Sequence, residues 1–599
     1  MKKLEGYSKF FVGFTAIVFL ILWFRLAYIQ LYSSALKERA EQYIVEKKIV
    51  KPPRGLIYDR YGKILVANEP AYDIMVIPAR LEIEDTQFVA SLLGLSLEEF
   101  KERLKQARQY SKIVASPILT AVHPDRFHKI QTYLSMIPGF TFRKGFIRKY
   151  YNNHLAHVVG YMTEVSKEDL EKDSFYMPGD FIGRTGLEHF YELELRGRKG
   201  IRYVLVDAFG RERGSYANGK YDVPPEPGKS LHSTIDPDLQ SFASSLMEGK
   251  RGAIVAIEPA TGEVLAFVSS PDFSLDSFWH SNRSSYYRKL LNDPNKPLFN
   301  RGVSAAYPPG STIKPLQTLF ALKMGIINHY TSWFCPGAWV RGSLTVKCHG
   351  SHFLPTPKEA IQHSCNSFYC EVFYRALSRY SDGHRKALME WKKYLNEFGF
   401  GRKTGVDIRG EKPGLVPDTS YYDRMYGTWW KPTTIISLAI GQGEWLATPI
   451  QLAAYVATIA NGGWFVQPHF VREIDTFILE WDRIKIDIPQ EDLQHVKEGM
   501  NKVVERGTAR IARIPHIQWA GKTGTAQNPH GEDHSLFVGF APLDSPRIAV
   551  AVMVENGGFG SRWAAPIASF VVEYYLKRKI DSSRLWLLKR VEQPIKYEQ

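Results

Sequence analysis

A serine and a lysine three residues apart are the most reactive combination in the sequence. Ser311 follows a rigid Pro-Pro-Gly run at 308–310, and Lys314 comes one helical turn later if a helix begins near the serine. Residues i and i+3 share a helix face, so the hydroxyl and the amine would project together. Lysine can activate a serine nucleophile when burial or nearby cations lower its pKa. Alone, the pair also fits a serine-capped helix with a solvent-exposed lysine.

Two further motifs follow in a fixed order. A Ser-x-Asn motif occupies 364–366, and a Lys-Thr-Gly-Thr motif occupies 522–525. Each is a common local pattern by itself. Together with Ser-x-x-Lys, however, they form the signature set of serine enzymes that react with penicillin. The candidate site residues in these two motifs are Ser364, Asn366, Lys522, Thr523, Gly524 and Thr525.

With these motifs the chain resembles the class B penicillin-binding proteins, and within them the elongation-type branch, penicillin-binding protein 2. The resemblance covers nearly the whole chain and includes 54–60, 183–200, 441–449 and 555–558. The residues before Ser311 are similar to the elongation branch, since an acid usually precedes the proline in the division branch. A division-type (septal) enzyme is the alternative role.

The resemblance implies a peptidoglycan D,D-transpeptidase that works through a serine acyl-enzyme. Ser311 would attack the penultimate D-Ala carbonyl of a donor stem peptide, with Lys314 as base, and expel the terminal D-Ala. Ser364 would relay a proton to the leaving amine, and Asn366 would hold the substrate amide. An amine of a second stem peptide would then resolve the acyl-enzyme. β-Lactams would acylate Ser311 and remain there.

The resemblance also assigns roles to the third motif. Lys522 would add positive potential, while Thr523 and Thr525 would bind the terminal carboxylate of the donor. Gly524 lies between them. The backbone N–H groups of Ser311 and Thr525 would form the oxyanion hole.

Three other functions remain possible for the same motifs. A β-lactam sensor would need several membrane spans or a cytoplasmic effector, and the sequence offers only a short stub before residue 10. A β-lactamase usually has neither an anchor nor a large preceding domain. A catalytically inactive scaffold is disfavoured because all three motifs are intact.

The N-terminus predicts a single-pass membrane protein. Apolar residues run from 10 to 29 with one arginine near the end, and Lys2, Lys3 and Lys9 precede them. A span of this length crosses a bilayer, and the preceding positive charge places the N-terminus in the cytoplasm. No cleavage site follows, so we expect an uncleaved anchor in the inner membrane, with the catalytic domain periplasmic or extracellular.

Strand and helix patterns downstream predict an α+β fold. Two apolar strands around 251–268 and two around 535–554, with helices between and after them, indicate one antiparallel sheet covered by helices. The Pro-rich run 224–228 is the clearest boundary. We therefore predict a stub and anchor at 1–31, an elongated pedestal domain of the dimerisation type at 32–228, a transpeptidase domain at 229–580 and a loose tail at 581–599.

The composition bears on partners. The net charge is +15 over 599 residues, but the basic residues are scattered and no nucleic-acid-binding signature is present. We expect no nucleic-acid partner and no organic cofactor. By resemblance, the partners are peptidoglycan stem peptides, β-lactams, a SEDS-family rod-shape glycosyltransferase and other membrane proteins of the elongation complex.

Cysteines supply one more candidate site. Cys335, Cys348, His352 and Cys365 could form a closed zinc site of three thiolates and one imidazole. Some elongation-type relatives look similar, with a metal site in the same loop and acids at the earlier positions. The alternatives are a Cys335–Cys348 disulfide, or buried thiols. Two other residues could replace one ligand, namely His349 and Cys370.

Overall fold

The computed structural model describes residues 2–31, 45–206, 212–279, 283–380 and 383–597. These residues fall into two compact units, one comprising 1–54 with 196–228 and the other 55–195 with 229–599. The predicted start of the pedestal domain at residue 32 and the last residues of the predicted tail, 598–599, lie outside the described part of the chain.

The first unit contains the predicted anchor and a small sheet. One helix, Lys2–Leu31, carries the apolar stretch Phe10–Gln30 with a mean hydropathy of 2.2. Strand Val45–Val50 pairs antiparallel with Gly200–Val206, which pairs in turn with Glu212–Ser215. Among the described residues, no other helix is long and apolar enough to cross a membrane. The prediction of one long apolar helix at the N-terminus is confirmed.

The second unit begins with a sheet built on one long strand. Ile64–Val76 pairs antiparallel with Phe140–Tyr150 along eleven residue pairs and with Ser116–Val122 on its other side. Two separate helices lie between residues 86 and 110, and Ser96 and Glu99 form a capping box at the start of the second one. Helices and sheet enclose a small apolar core of their own, which includes Phe100, Ile130 and Leu134.

The remaining elements of this part are short. Strand Ile57–Tyr58 pairs antiparallel with the long strand and parallel with Leu231–Ser233. The helices are Thr86–Leu92, Leu97–Tyr110, Pro124–Ser135, Ala156–Val159, Lys167–Lys172, Gly186–Phe190 and Glu192–Leu195, and a two-stranded sheet joins Met162–Glu164 to Phe181–Gly183.

A five-stranded antiparallel sheet organises residues 229–597. Its order in space is Val264–Ser270, Gly252–Ile257, Ile548–Val554, His534–Ala541 and Ala520–Ala526. The first four strands were predicted from their apolar runs, and the antiparallel pairing of the two hairpins is confirmed. The fifth strand was not predicted, because its Lys-Thr-Gly-Thr sequence is polar. It is the edge strand of the sheet.

The strands of this sheet are buried at nearly every position, because helices cover both of its faces. Pro449–Ala460 is buried along its whole length, as expected of a helix in the middle of a large domain. The other helices are Pro237–Leu246, Arg283–Asn292, Arg301–Ser304, Lys314–Lys323, Pro357–Gln362, Asn366–Leu377, His384–Glu397, Thr419–Tyr426, Gln490–Arg506 and Ala564–Lys577. Together with the antiparallel sheets, they confirm the α+β fold.

The described part of the predicted tail, 581–597, includes a packed helix, so the prediction of a loose tail was wrong there. A short helix, Leu585–Val591, buries Leu587 and Val591 against the main core. Buried Arg584 forms an ion pair with Glu573 of the preceding helix. The charged composition of this segment gave no indication of the buried leucine and valine or of the buried ion pair.

Candidate active site

Ser311 lies in a tight turn at the start of a buried helix. A 3₁₀ turn, Gly310–Ile313, runs directly into the α-helix Lys314–Lys323, so the predicted helix start is confirmed. Gly310 has φ +54°, and a Cβ there would lie 2.6 Å from the carbonyl oxygen of Thr525. Only glycine allows this approach, which brings the serine turn against the edge strand of the sheet.

Lys314 is completely buried beside the second motif. Its Nζ donates to Ser364 O at 2.7 Å, to Ser364 Oγ at 3.1 Å and to Asn366 Oδ1 at 2.6 Å. Burial lowers its pKa to about 8, although the nearby cysteines act in the opposite direction. Among the described residues, the hydrogen-bond partners of Nζ all belong to the second motif and none is Ser311.

The second motif is held in a constrained turn between two helices. Ser364 has φ +54°, an unfavourable value for a residue with a Cβ, and lies between Pro357–Gln362 and Asn366–Leu377. The Asn366 side chain is fixed from both ends, because its Nδ2 also donates to Lys347 O at 2.9 Å. This constrained turn directs both motif side chains to one lysine.

The third motif lies on the edge strand Ala520–Ala526. Lys522 is buried, its Nζ donates to Thr523 O at 3.1 Å, and burial lowers its pKa well below the usual value. The Thr523 and Thr508 hydroxyl oxygens are 2.6 Å apart. Thr525 O accepts a hydrogen bond from Gln442 Nε2 at 2.9 Å. A Cβ on Gly524 would lie 2.6 Å from Thr312, so a glycine suits this position.

All three motifs line one open cleft of about 410 Å³. Motif residues on its wall are Ser311, Ser364, Asn366, Thr523, Gly524 and Thr525, while Lys314 and Lys522 are buried behind it. Thr508 also lies on the wall, and no pattern in the sequence indicated it. Gln442 was identified only as part of the family-like stretch 441–449, and His349 only as a substitute metal ligand. These three come from segments with no catalytic motif, and only Thr508's closeness to Thr523 connects it to one.

The cleft joins a nucleophile, a buried amine of lowered pKa and hydrogen-bond donors on two sides. Such an arrangement can carry out acyl transfer, in which a serine ester forms and is then cleaved.

Behind the second motif, the four predicted metal ligands come together. The ligand atoms of Cys335, Cys348, His352 and Cys365 all lie within 4.8 Å of one another. Two of them, Cys335 and His352, are directly opposite each other in the hairpin formed by Trp333–Arg341 and Leu344–Leu354.

The chemistry of this group fits a metal ion. The buried Nε2 of His352 has no hydrogen-bond partner among the described residues. Backbone N–H groups of Gly337 and Phe368 donate to the sulfurs of Cys335 and Cys365. Donors of this kind stabilise thiolates, the form in which cysteine binds zinc.

The alternatives for these cysteines were a disulfide and the replacement of one metal ligand by His349 or Cys370. Cys335, Cys348, Cys365 and Cys370 are all free thiols in the structure, so it contains no Cys335–Cys348 disulfide. Cys370 is buried outside the four-residue group, and His349 is on the wall of the cleft.

Comparison with known families gives two matches. Residues 252–573 match the family described as the penicillin binding protein transpeptidase domain. Residues 49–233 match the penicillin-binding protein dimerisation domain.

Curated relatives match over most of their length. The peptidoglycan D,D-transpeptidase MrdA of Acinetobacter baumannii is 33% identical, covering 99% of this chain and 89% of that protein. The protein of the same name from Haemophilus influenzae is 32% identical, covering 88% of this chain and 85% of that protein.

Solved structures with the same fold include three close matches. A complex between penicillin-binding protein PBP2 and MreC from Helicobacter pylori matches with a TM-score of 0.76 and 26% identity, covering 90% of this chain and 100% of that one. Pseudomonas aeruginosa PBP2 in complex with WCK 5153 matches with a TM-score of 0.67 and 30% identity, covering 90% of this chain and 99% of that one. A chain from a peptidoglycan synthase complex that coordinates polymerization and crosslinking matches with a TM-score of 0.70 and 28% identity, covering 96% of this chain and 99% of that one.

Proposed function

The chain belongs to the penicillin-binding proteins with a transpeptidase domain, and from that premise we propose how its cleft performs peptidoglycan D,D-transpeptidation. The enzyme is a serine-type D-Ala-D-Ala transpeptidase of the penicillin-binding protein 2 branch. The observation that carries the mechanism is the Lys314 amine, whose Nζ donates hydrogen bonds to both polar residues of the second motif beside the Ser311 turn.

In the first half-reaction, Ser311 becomes acylated. Neutral Lys314 accepts the hydroxyl proton while Ser311 Oγ forms an ester with the penultimate D-Ala carbonyl carbon of the donor. The amide bond to the terminal D-Ala breaks, and the proton passes through Ser364 to the leaving amine. The 3.1 Å contact between Lys314 Nζ and Ser364 Oγ supports this route.

The remaining motif residues position the donor and stabilise charge. Asn366, held by Lys314 and by Lys347 O, binds the amide of the stem peptide. The terminal carboxylate lies at Thr523 and Thr525, under the positive potential of Lys522. The N–H groups of Ser311 and Thr525 would stabilise the oxyanion, and the close approach at Gly310 supports that pairing.

In the second half-reaction, an amine of a neighbouring stem peptide attacks the Ser311 ester. The amine loses a proton to Lys314, the ester bond breaks, and a new amide cross-links the two strands while Ser311 regains its proton. Attack by water instead would give carboxypeptidase activity. A β-lactam forms the same ester, but its leaving amine stays attached to the acyl group and blocks the acceptor.

We also propose that Cys335, Cys348, His352 and Cys365 hold a structural zinc ion. A closed set of four protein ligands leaves no position for substrate, so the ion would serve to fix the hairpin. That hairpin supplies Lys347 O, the acceptor for Asn366. No organic cofactor is needed for the reaction.

The cellular setting follows from the anchor and the relatives. Lysines before the apolar helix support an orientation with the N-terminus in the cytoplasm and the cleft in the periplasm or outside the cell. Protease added outside spheroplasts should then digest the catalytic domain. Protection of this domain from the protease would indicate the opposite topology. The partners are a SEDS-family rod-shape glycosyltransferase and other elongation-complex membrane proteins, in line with relatives solved with MreC and in a synthase complex. Failure to co-purify with them from membranes would count against this.

The domain boundaries remain those proposed from the sequence. The anchor comprises 1–31, the pedestal 32–228, the transpeptidase domain 229–580 and the terminal segment 581–599. The family match that ends at residue 233 and the Pro-rich run 224–228 support the main boundary. Limited proteolysis should cut near it, and a preferred cut well inside 240–570 would contradict it.

Labelling of the full-length protein by a fluorescent penicillin tests the mechanism. We expect persistent labelling that Ser311→Ala abolishes and that Ser304→Ala, a nearby serine bonded to Gly410 O, retains. Labelling of Ser311→Ala would exclude this nucleophile. Rapid loss of label from the wild-type protein would indicate a β-lactamase.

A further inference from the structure

A basic groove continues from one end of the active-site cleft. It has a volume of about 750 Å³, and the eight residues that line it are Arg506, Gly507, Thr508, Arg510, Ile511, Ser561, Arg562 and Arg590. Four of the eight are arginines. We call this the arginine groove. It shares Thr508 and Ser561 with the active-site cleft, so the two cavities are continuous.

The groove's positive charge is not neutralised within the described chain. No carboxylate lines it, and none of its four arginines forms an ion pair with an acidic residue of the described ranges. Arg590 donates to a backbone oxygen, that of Arg562, at 2.7 Å. By contrast, Arg513, a short distance along the chain, forms a 3.0 Å ion pair with Glu505. Four unpaired guanidinium groups in one groove favour a ligand with several carboxylates, since arginine binds carboxylates in a bidentate manner.

The position of the groove indicates which substrate would occupy it. Thr508 links it to Thr523, where the terminal residue of the donor lies in the proposed mechanism. The departing D-Ala amine and the incoming acceptor amine bond to the same carbonyl carbon and approach it from the same side. A groove that opens beyond the leaving group therefore lies on the acceptor's path.

We propose that the arginine groove binds the carboxylates of the acceptor stem peptide, an acidic peptide, and so positions its amine at the acyl-Ser311. This inference rests on the proposed transpeptidase function and adds a site for its second substrate. The donor also carries carboxylates, so the test must separate the two stem peptides.

The test uses the full-length protein in detergent and separates acylation from aminolysis. A D-alanyl thioester without a free stem carboxylate first acylates Ser311. Water then hydrolyses part of the acyl-enzyme, and an added acceptor amine aminolyses the rest. The acceptors are a stem tetrapeptide with a free diamino-acid amine and the same peptide with its carboxylates converted to amides.

We expect Arg506→Gln/Arg510→Gln to lower aminolysis by the acidic acceptor about tenfold, since two charge-assisted contacts are lost. The amidated acceptor should be affected less than twofold, and Arg506→Lys/Arg510→Lys should recover part of the loss. Added salt should weaken the acidic acceptor's advantage in the wild type. Arg513→Gln is the matched control and should behave as wild type.

Equal losses with both acceptors, or no loss with either, would overturn the proposal. So would a variant that loses only acylation by a donor pentapeptide, because the groove would then serve the donor's carboxylates. Failure of the wild-type protein to be acylated by thioester or penicillin would refute the proposed function itself, which distinguishes the two outcomes.

Discussion

In the proposed mechanism acylation depends on Lys314, which is a fully buried amine without an acidic partner among the described residues. Its three hydrogen-bond acceptors are neutral groups of Ser364 and Asn366. Burial without a counter-ion favours the neutral amine, which is the form able to accept the Ser311 proton.

The pH dependence of acylation should therefore follow this lysine. With a pKa of about 8, the neutral fraction of Lys314 rises roughly tenfold per pH unit below that value and levels off above it. We expect the second-order rate constant for acylation by a penicillin to rise between pH 6 and 8 and reach a plateau near pH 9. Stopped-flow fluorescence on the full-length protein measures it.

Lys314→Arg provides the control for this profile. Arginine keeps the positive charge but does not lose its proton in this range, so acylation should be lost at every pH. A wild-type rate that stays constant from pH 6 to 9 would mean that Lys314 is not the base.

The motif residues could be predicted from sequence because their order along the chain is specific, but their neighbours could not. Thr508 contacts Thr523 only because the chain after the helix Gln490–Arg506 turns back to the edge strand. A single threonine in such a segment carries no pattern of its own. The polar edge strand was missed for a related reason, since its burial comes from the packed serine turn and not from apolar residues.

At the scale of elements, the hairpin behind the second motif connects the cysteine cluster to the active site. Lys347 lies next to Cys348 in the chain, and its carbonyl oxygen fixes Asn366. Cys365 lies between Ser364 and Asn366. Any change in the cluster therefore acts on both ends of the second motif.

Zinc binding should thus support both the hairpin and acylation. We expect elemental analysis to find about one zinc ion per chain, lost in Cys348→Ser together with much of the acylation rate. Cys370→Ala is the matched control, because this buried thiol lies outside the cluster and its loss should leave the zinc content unchanged. A Cys335–Cys348 disulfide in the purified protein, or acylation unaffected by zinc removal, would contradict the proposal.

The family-like segment at 183–188 has a structural purpose that the sequence did not reveal. Glu188 and Arg148 form a 2.7 Å ion pair with both side chains almost completely buried. Arg148 also donates to Asn68 Oδ1 at 3.0 Å, which joins the segment to two strands of the pedestal sheet. The buried acid that follows the glycines of this segment therefore has a structural role.

Removing this acid should destabilise the second unit strongly. Glu188→Ala leaves the Arg148 charge buried without its partner, which costs about 3–5 kcal/mol. Chemical denaturation followed by tryptophan fluorescence measures the change. Glu69→Ala is the control, since its 3.2 Å pair with Lys149 is exposed and should contribute nothing measurable. Equal effects of the two substitutions would show that burial does not set the cost.

At the scale of the molecule, residues 55–195 and the transpeptidase region belong to one compact unit. Arg60 forms ion pairs with Glu258 and Glu263. Farther along, Tyr191 donates to Asp407 Oδ2 at 2.8 Å inside the protein. These contacts join residues 55–195, which we call the base of the pedestal, to the catalytic region at two separate places. The two parts should therefore unfold together.

Tyr191→Phe tests this coupling. Asp407 also accepts from the N–H groups of Phe470 and Val471, and burial raises its pKa to about 6, so at neutral pH it is mainly a buried carboxylate that needs each donor. Loss of the tyrosine hydroxyl should cost about 1.5–3 kcal/mol, the usual value for a hydrogen bond to a charged group.

Calorimetry of the full-length protein should show one transition for the second unit, shifted to lower temperature in Tyr191→Phe. Tyr151→Phe is the control, because its side chain is 62% exposed and its loss should leave the transition in place. Two separate transitions in the wild-type protein, with only one shifted by Tyr191→Phe, would mean that the base of the pedestal unfolds independently. A single shifted transition would mean that damage at the base of the pedestal also weakens the region that holds Ser311, although Tyr191 does not line the cleft.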